Sequence, residues 1–477
     1  MAIEHVKDIE NGDYNKGVGD LEQPFLEWRE GSSGSLGVVL FSTFVAVCGS
    51  FEFGSCVGYS APTQSGIRED LNLTLAQYSM FGSLVTIGAM IAAFTSGRIA
   101  DFIGRKGAMR MSAAFCIAGW LAIYLSVGAL SLDIGRFLTG YGIGIISYVV
   151  PVYIAEIAPS NLRGGLTTLN QLMICTGSSI AFVIGTIITW RNLALTGVAP
   201  CFALLVGLFF IPESPRWLAK VGLEKESEVS LRRLRGKNAE ITAEADEIQI
   251  SVQSLRKLSK AKLTDLLEAK YIRSVIIAVG LMLFQQIGGI NGISFYASQT
   301  FVAAGITGNV GTLAYALIQV PVTIIGAVLM DKSGRRPLLL VSATGTFLGC
   351  LLTGTAFLLE GQQLLLQWVP ILAVSGVLTY IASYSIGLGP VPWVIMSEIF
   401  PLHIKGLAGS LAVLTNWLGA WAVSYTFNFL MSWSCPGTFF VFSGSCALTV
   451  LFVAKVVPET KGKTLEEIQA SINSQLK

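Results

Sequence analysis

Charge is scarce in this sequence. Asp, Glu, Lys and Arg make up 13% of its 477 residues, about half the share found in ordinary soluble domains. With 52% hydrophobic residues, such a chain cannot cover a water-soluble globule with polar surface. A net charge of +2 speaks against a basic nucleic-acid-binding face. Histidine is nearly missing: His5 and His403 leave nothing for a His-centred triad or a multi-His zinc site. The eight cysteines are scattered, mostly within apolar runs and with no pair at metal-ligand spacing, so they read as small packing residues. No cofactor or nucleophile motif is visible, and the expectation is a non-enzyme without cofactor or resident metal.

Long apolar runs are what the sequence has instead. They fall near 36–60, 78–98, 108–128, 131–152, 166–188 and 194–211, then 272–303, 308–330, 338–359, 367–397, 407–431 and 437–456, each long enough to cross a bilayer. The fold class expected is an all-α membrane protein with twelve spans in two six-helix bundles, 36–211 and 272–456. A polar stretch, 212–271, separates the bundles, and tails 1–35 and 457–477 flank them. The leader reads as a disordered tail rather than a cleaved signal. Arg98, Arg105, Lys106 and Arg110, the basic central stretch, and Lys332, Arg335 and Arg336 lie in alternate loops. The positive-inside rule then places both termini in the cytoplasm.

The halves repeat each other. "DFIGRK" at 101–106 recurs as "DKSGRR" at 331–336, "EIAPSNLRG" at 156–164 as "EIFPLHIKG" at 398–406, and "PESPRWL" at 212–218 is echoed by "PETKGKTLEEI" at 458–468. In membrane proteins such duplication builds transporters that rock about a midplane site. Gly104 and Gly334 suit tight reversals. Both signs of charge recur together: Arg105, Lys106, Glu156, Arg163 and Glu213 in one half, Arg335, Arg336, Glu398, Lys405 and Glu459 in the other. They are expected to form a cytoplasmic latch that ties the two halves together. From Ala239 to Lys260, apolar residues at three- and four-residue steps predict an amphipathic helix packed beneath the bundle as a brace.

The set "GRIADFIGRK", "PESPRWL", "QQIGGIN", "GPVPWVIMSEIFP" and "PETKGKTLEEI" resembles the sugar-porter family of the major facilitator superfamily over about 36–468. The segments "SFEFGSCVGYSAPTQ" and "AQYSMFGSLVTIGAM" look like the plant monosaccharide-transporter subgroup named for early response to dehydration. The resemblance implies monosaccharide transport by alternating access. A facilitative carrier and a transporter-like sensor are the alternatives, although the expected long signalling tail is not seen after "PETKGKTLEEI".

Sugar hydroxyls both give and take hydrogen bonds, so carboxamides and aromatic faces suit them. Gln171, Gln285, Gln286, Asn291 and Asn416, with Trp393 and Trp417, lie in the apolar runs, and Gly288 and Gly289 are placed to break span seven. The resemblance puts the amides where sugar porters bind ring hydroxyls and Trp393 at the family's sugar-stacking position. Gln319 stands where many hexose carriers have asparagine. The partners implied are a sugar, protons and the bilayer, with no nucleic acid.

Glu52 is an ionisable group inside a span, a place that costs roughly 2.5–3.5 kcal/mol and marks function by default. Proton-coupled sugar porters carry an aspartate in span one facing an arginine in span four. Here Cys56 of "FGSC" stands at that position while Arg136 is retained. Glu52 lies one helical turn before Cys56, on the same face. Two readings stay open: Glu52 with Arg136 forms the proton site, or the protein is an uncoupled facilitator with Glu52 a structural contact. The leader's Glu22 and Leu26 loosely imitate an acidic-dileucine signal, and the plant subgroup that the chain resembles includes many vacuolar members, so the vacuolar membrane is expected over the plasma membrane; Asn72 of "NLT" is a glycan candidate.

Overall fold

A computed structural model describes residues 33–159, 162–236, 239–257, 263–268, 270–305, 307–463, 467–468 and 472. The sorting motif of the leader lies outside the described residues, and so do the side chains of Arg163 and His403.

With no water in a bilayer core, backbone polar groups must be satisfied within each segment, which leaves helices as the solution for these runs. Eleven helices among the described residues are long and apolar enough to cross a membrane. One of them, Leu75–Tyr124, bends at Gly104 (φ 81°, ψ 172°) and is two spans in succession, so the crossings number twelve. Thr74 opens it with a reciprocal side-chain cap to Gln77, satisfying two otherwise orphaned amides.

Spans one to six are Ser33–Gly58, the two arms of Leu75–Tyr124, Ala129–Ile157, Arg163–Gly185 and Trp190–Phe210; Ser60–Asp70 prolongs span one. Span seven is broken. Ile272–Ile287 stops, Gly289 takes φ 98°, and Ile290–Phe295 restarts the helix. Gly289 is in the left-handed region that glycine enters without a Cβ clash, as the sequence predicts. Gly308–Ser333 and Arg335–Gly361 form spans eight and nine. Span ten runs from Val369–Ser383 through a π turn, Tyr384–Leu388, to Val391–Ile399. Leu402–Trp433 and Cys435–Val456 complete the set.

Small residues allow the close approaches within each bundle. A Cβ at Gly54 would overlap the Ile174 carbonyl, and one at Gly177 would overlap Phe51, so spans one and five touch backbone to backbone. Between the bundles, hydrogen bonds lie at the end remote from the basic motifs and at mid-height. Gln64 donates to Gln299 at 2.9 Å and Asn428 to Ser79 at 2.9 Å, while Tyr78 meets Tyr296 edge-on with ring centroids 6.3 Å apart. The two halves are closed on each other at that far end.

Among its described residues the central stretch forms three α-helices, Pro215–Lys220, Glu224–Arg235 and Thr242–Lys257, and a short 3-10 helix, Leu263–Leu267. The shared core of the α-helices is Ala219, Leu231, Ile241, Ile248 and Val252, the apolar face that the spacing predicts for the last of these α-helices. The unit is fastened under the first bundle: Arg235 pairs with Glu244 at 2.7 Å and donates to the Ile157 carbonyl at the end of span four, and Lys220 meets Asp101 at 2.8 Å.

Candidate functional site

Spans one, five, seven, eight and ten enclose a cavity of about 150 Å³ at the junction of the halves. Of the residues expected to bind substrate, Gln171, Asn291 and Gln319 line it. The break of span seven turns Asn291 back on its own helix, where its amide donates to Gln286 Oε1. Gln286 in turn donates to Asn416 Oδ1 of span eleven at 2.7 Å. Gln286 and Asn416 are buried, so each amide in this chain is oriented by the next.

Gln285 is held differently. Its Nε2 donates to the Leu388 and Gly389 carbonyls of span ten, both at 2.8 Å. Pro392 has no N–H for the carbonyl four residues earlier, which is that of Leu388, and the side chain supplies the missing donor. Gln285 Oε1 is buried without a hydrogen-bond partner, and Gln285 is not among the residues that line the cavity. Trp417 packs against Phe53, itself on the cavity wall, at 6.3 Å between centroids. Trp393 does not line this cavity, although Gly389 and Pro390 just before it do.

Residues that sequence reasoning did not single out complete the wall: Cys175, Ser178, Ser294, Tyr315, Thr323 and Tyr384. Ser294 and Tyr315 share a hydrogen bond of 2.9 Å. The available signal was polar side chains repeating at four-residue steps, Gln171, Cys175 and Ser179 in span five and Tyr315, Gln319 and Thr323 in span eight, which packing alone also explains.

Glu52 and Arg136 are both buried, at 2% and 0% exposure, yet they do not touch as an ion pair. The Trp120 indole of span three and the Cys56 thiol both donate to Glu52 Oε1, the latter at 3.3 Å. Cys116 and Cys201 bring their sulfurs within 4.8 Å of the carboxylate; the Cys201 thiol lies 3.6 Å from the Gly197 carbonyl, and Glu52 Oε2 has no hydrogen-bond partner. Arg136 donates to the Cys56 carbonyl at 2.8 Å and to the Ser60 hydroxyl, under the faces of Phe81 and Tyr59. Cys56 thus links the two groups, its side chain on the acid and its backbone on the base.

At the basic end, the expected latch takes a different form. Arg105 grips Glu156 and Arg335 meets Glu398 at 3.0 Å, each pair inside one half rather than between halves. Glu213 and Glu459 sit at equivalent places on the N-termini of spans three and nine. The positive φ of Gly104 and Gly334 turns the following amides toward them: Lys106 N–H donates to Glu213 at 3.1 Å, and the Arg335 and Arg336 N–H groups donate to Glu459 at 3.0 and 3.1 Å. A helix N-terminus favours such an anion. Burial raises the Glu213 carboxyl above its ordinary value. For Glu459 burial pushes the same way, but four backbone donors prevail and lower it. Lys106 and Lys405 are spent on the carbonyls of Ile211 and Ser397.

The family model for sugar (and other) transporters matches residues 41–471. "Sugar transporter ERD6-like 16" of Arabidopsis thaliana is 68% identical over 99% of this chain and 99% of its own length. "Sugar transporter ERD6-like 7" of the same plant is 60% identical over 91% of this chain and 94% of its own. Among solved structures, the proton:xylose symporter XylE bound to 6-bromo-6-deoxy-D-glucose superposes with a TM-score of 0.74 at 29% identity, covering 92% of this chain and 99% of that one. The inward open conformation of the xylose transporter XylE from E. coli gives 0.76 at 28% identity, covering 91% and 99%.

Proposed function

The chain belongs to the sugar (and other) transporter family, and from that premise we propose that it carries a monosaccharide across a membrane by alternating access. The observation that carries this reading is the oriented amide chain Asn291–Gln286–Asn416 at the break of span seven, beside a cavity to which both bundles contribute. Carboxamides offer a polyol both donors and acceptors without fixed charge. An organic ion would call for charge among the wall residues, and none of them is charged. Labelled hexose should exchange across proteoliposomes holding the purified protein, and organic cations should not; the reverse preference sinks the proposal.

Rocking of the bundles exposes the cavity to one side and then the other. The far end is the closed gate in this conformation, and the basic end faces the cytoplasm by its Lys and Arg content. Transport is coupled to protons through Glu52, which is buried, hydrogen-bonded and joined to Arg136 through Cys56. A solved relative is a proton:xylose symporter, which supports coupling. One observation favours uncoupled flux instead: Arg136 donates to a carbonyl and a hydroxyl rather than to a carboxylate. The vacuolar membrane is the proposed site of residence, tested by whether a Glu22→Ala/Leu26→Ala variant of a fluorescent fusion leaves that membrane.

A further inference from the structure

Spans five and eight meet as an antiparallel seam along the cavity wall. Phe182 packs edge-on to Tyr315 with centroids 5.0 Å apart. One turn along, the Ser179 hydroxyl donates to Gln319 Oε1 at 3.2 Å, and one turn further the Thr323 hydroxyl reaches Cys175 Sγ at 3.5 Å. The contacts join opposite halves of the protein. Ser179 is 6% exposed, and Gln319 borders the sugar-sized space.

A carboxamide has one accepting and one donating end. Ser179 donates to the accepting end of Gln319, which favours one rotation of the amide about its last torsion, with Nε2 as the end turned away from Ser179. Gln285 presents the opposite polarity, because its Nε2 is spent on span ten and its Oε1 is bare. Gln285 lies behind the cavity wall rather than on it, whereas Gln319 is on it, and the neighbour that orients Gln319 is not itself a wall residue.

We propose that Ser179 is a specificity-determining positioning residue: by donating to Gln319 Oε1 it fixes the rotation of the amide and presents Nε2 to the ligand, so an acceptor oxygen is preferred at that point of the cavity. The inference rests on the sugar-transport reading and assigns a direction to one of its hydrogen bonds.

Fluorine in place of a hydroxyl keeps weak acceptor capacity and loses the donor, whereas a deoxy position has neither. The test measures displacement of labelled hexose by the complete sets of monodeoxy and monofluoro hexoses on the purified protein. In wild type, one ring position should tolerate fluorine while its deoxy analogue binds about tenfold more weakly, the loss of one buried hydrogen bond. In Ser179→Ala the amide is free to turn, and the fluoro-to-deoxy ratio at that position should fall toward one. Ser179→Thr keeps the hydroxyl and should restore it, which a loss of packing alone would not allow. Normal hexose binding with the ratio unchanged in Ser179→Ala, or with no fluorine-tolerant position in wild type, overturns the role of Ser179 and leaves the transport reading standing. Absence of hexose binding in wild type overturns both.

Discussion

Arg105 grips Glu156 through two parallel hydrogen bonds, Nε to Oε2 at 2.9 Å and Nη2 to Oε1 at 2.8 Å. Its counterpart in the other half, Arg335, reaches Glu398 with one bond at 3.0 Å. The first pair is the more buried, with side-chain exposures of 7% and 14% against 16% and 26%. Duplication has preserved the residue types but not the strength of the contact. Each pair clamps the start of one span to the end of the next within its own half, so its first effect is on the integrity of a bundle and its second on how the bundles rock.

Glu156→Gln should therefore destabilise more than Glu398→Gln. The first strands most of a buried guanidinium, at a cost on the order of 2–3 kcal/mol after allowing for Asp101, which still pairs with it. The second loses a partly exposed bond worth about 1 kcal/mol. Thermal unfolding of the purified variants in detergent ranks them; equal shifts would show that the bidentate geometry contributes nothing.

Glu213 and Glu459 should respond to pH with opposite sign. Glu459 has a lowered pKa, so its contribution is present above the unfolded-state value and is lost as pH falls through the folded one. Glu213 has a raised pKa, so its contribution is present below the unfolded-state value and is lost as pH rises through the folded one. In melting temperature measured against pH, Glu459→Gln should flatten the acid-side fall. Glu213→Gln should remove part of the gain seen on mild acidification. Both variants flattening the same limb would contradict the assignment.

Gln286→Ala removes the middle of the amide chain and strands both Asn291 and Asn416. At about 1–3 kcal/mol for a buried group left unpaired, hexose affinity should fall roughly tenfold or more. Gln285→Ala should also weaken binding, and in addition loosen span ten, because the Leu388 carbonyl loses its donor. Hexose binding titrations on both variants, with melting temperature alongside, separate the two effects; unchanged binding in both places the sugar elsewhere.

Much of this architecture is legible in the sequence because lipid leaves the backbone few choices. A run of apolar residues of sufficient length becomes a spanning helix, and a Gly-Gly pair within such a run marks the break at Gly289. The charge clusters of each half were legible as clusters but not as partners: nothing in the spacing says that Glu156 turns to Arg105 rather than across to the other bundle. Contacts between distant positions were out of reach for the same reason. Trp120 and Glu52 are 68 residues apart, and Ser179 and Gln319 are 140 apart. Trp120 reads as an ordinary core aromatic until the fold places its N–H on a carboxylate.

That contact frames the last prediction. An unneeded acid at 2% exposure inside a bundle is expensive to keep, and here it accepts from an indole and a thiol while its second oxygen stays bare. Two neutral donors do not compensate a full charge the way a guanidinium would, and the nearest guanidinium is committed to the Cys56 carbonyl and Ser60. Such a group is poised to exchange a proton whenever rocking of the bundles changes its surroundings. Sugar flux into proteoliposomes should therefore rise with an imposed pH gradient in wild type. In Glu52→Gln the gradient dependence should vanish while downhill exchange of sugar persists, because the amide can still accept from Trp120 but cannot release a proton. Gradient-independent flux in wild type would make the protein a facilitator. Gradient dependence surviving in Glu52→Gln would move the proton site off span one's acid. If Cys56 is the link between acid and arginine through its backbone as well as its thiol, Cys56→Ser should retain coupling, since the serine hydroxyl can still donate to Glu52 and the carbonyl to Arg136 is unchanged.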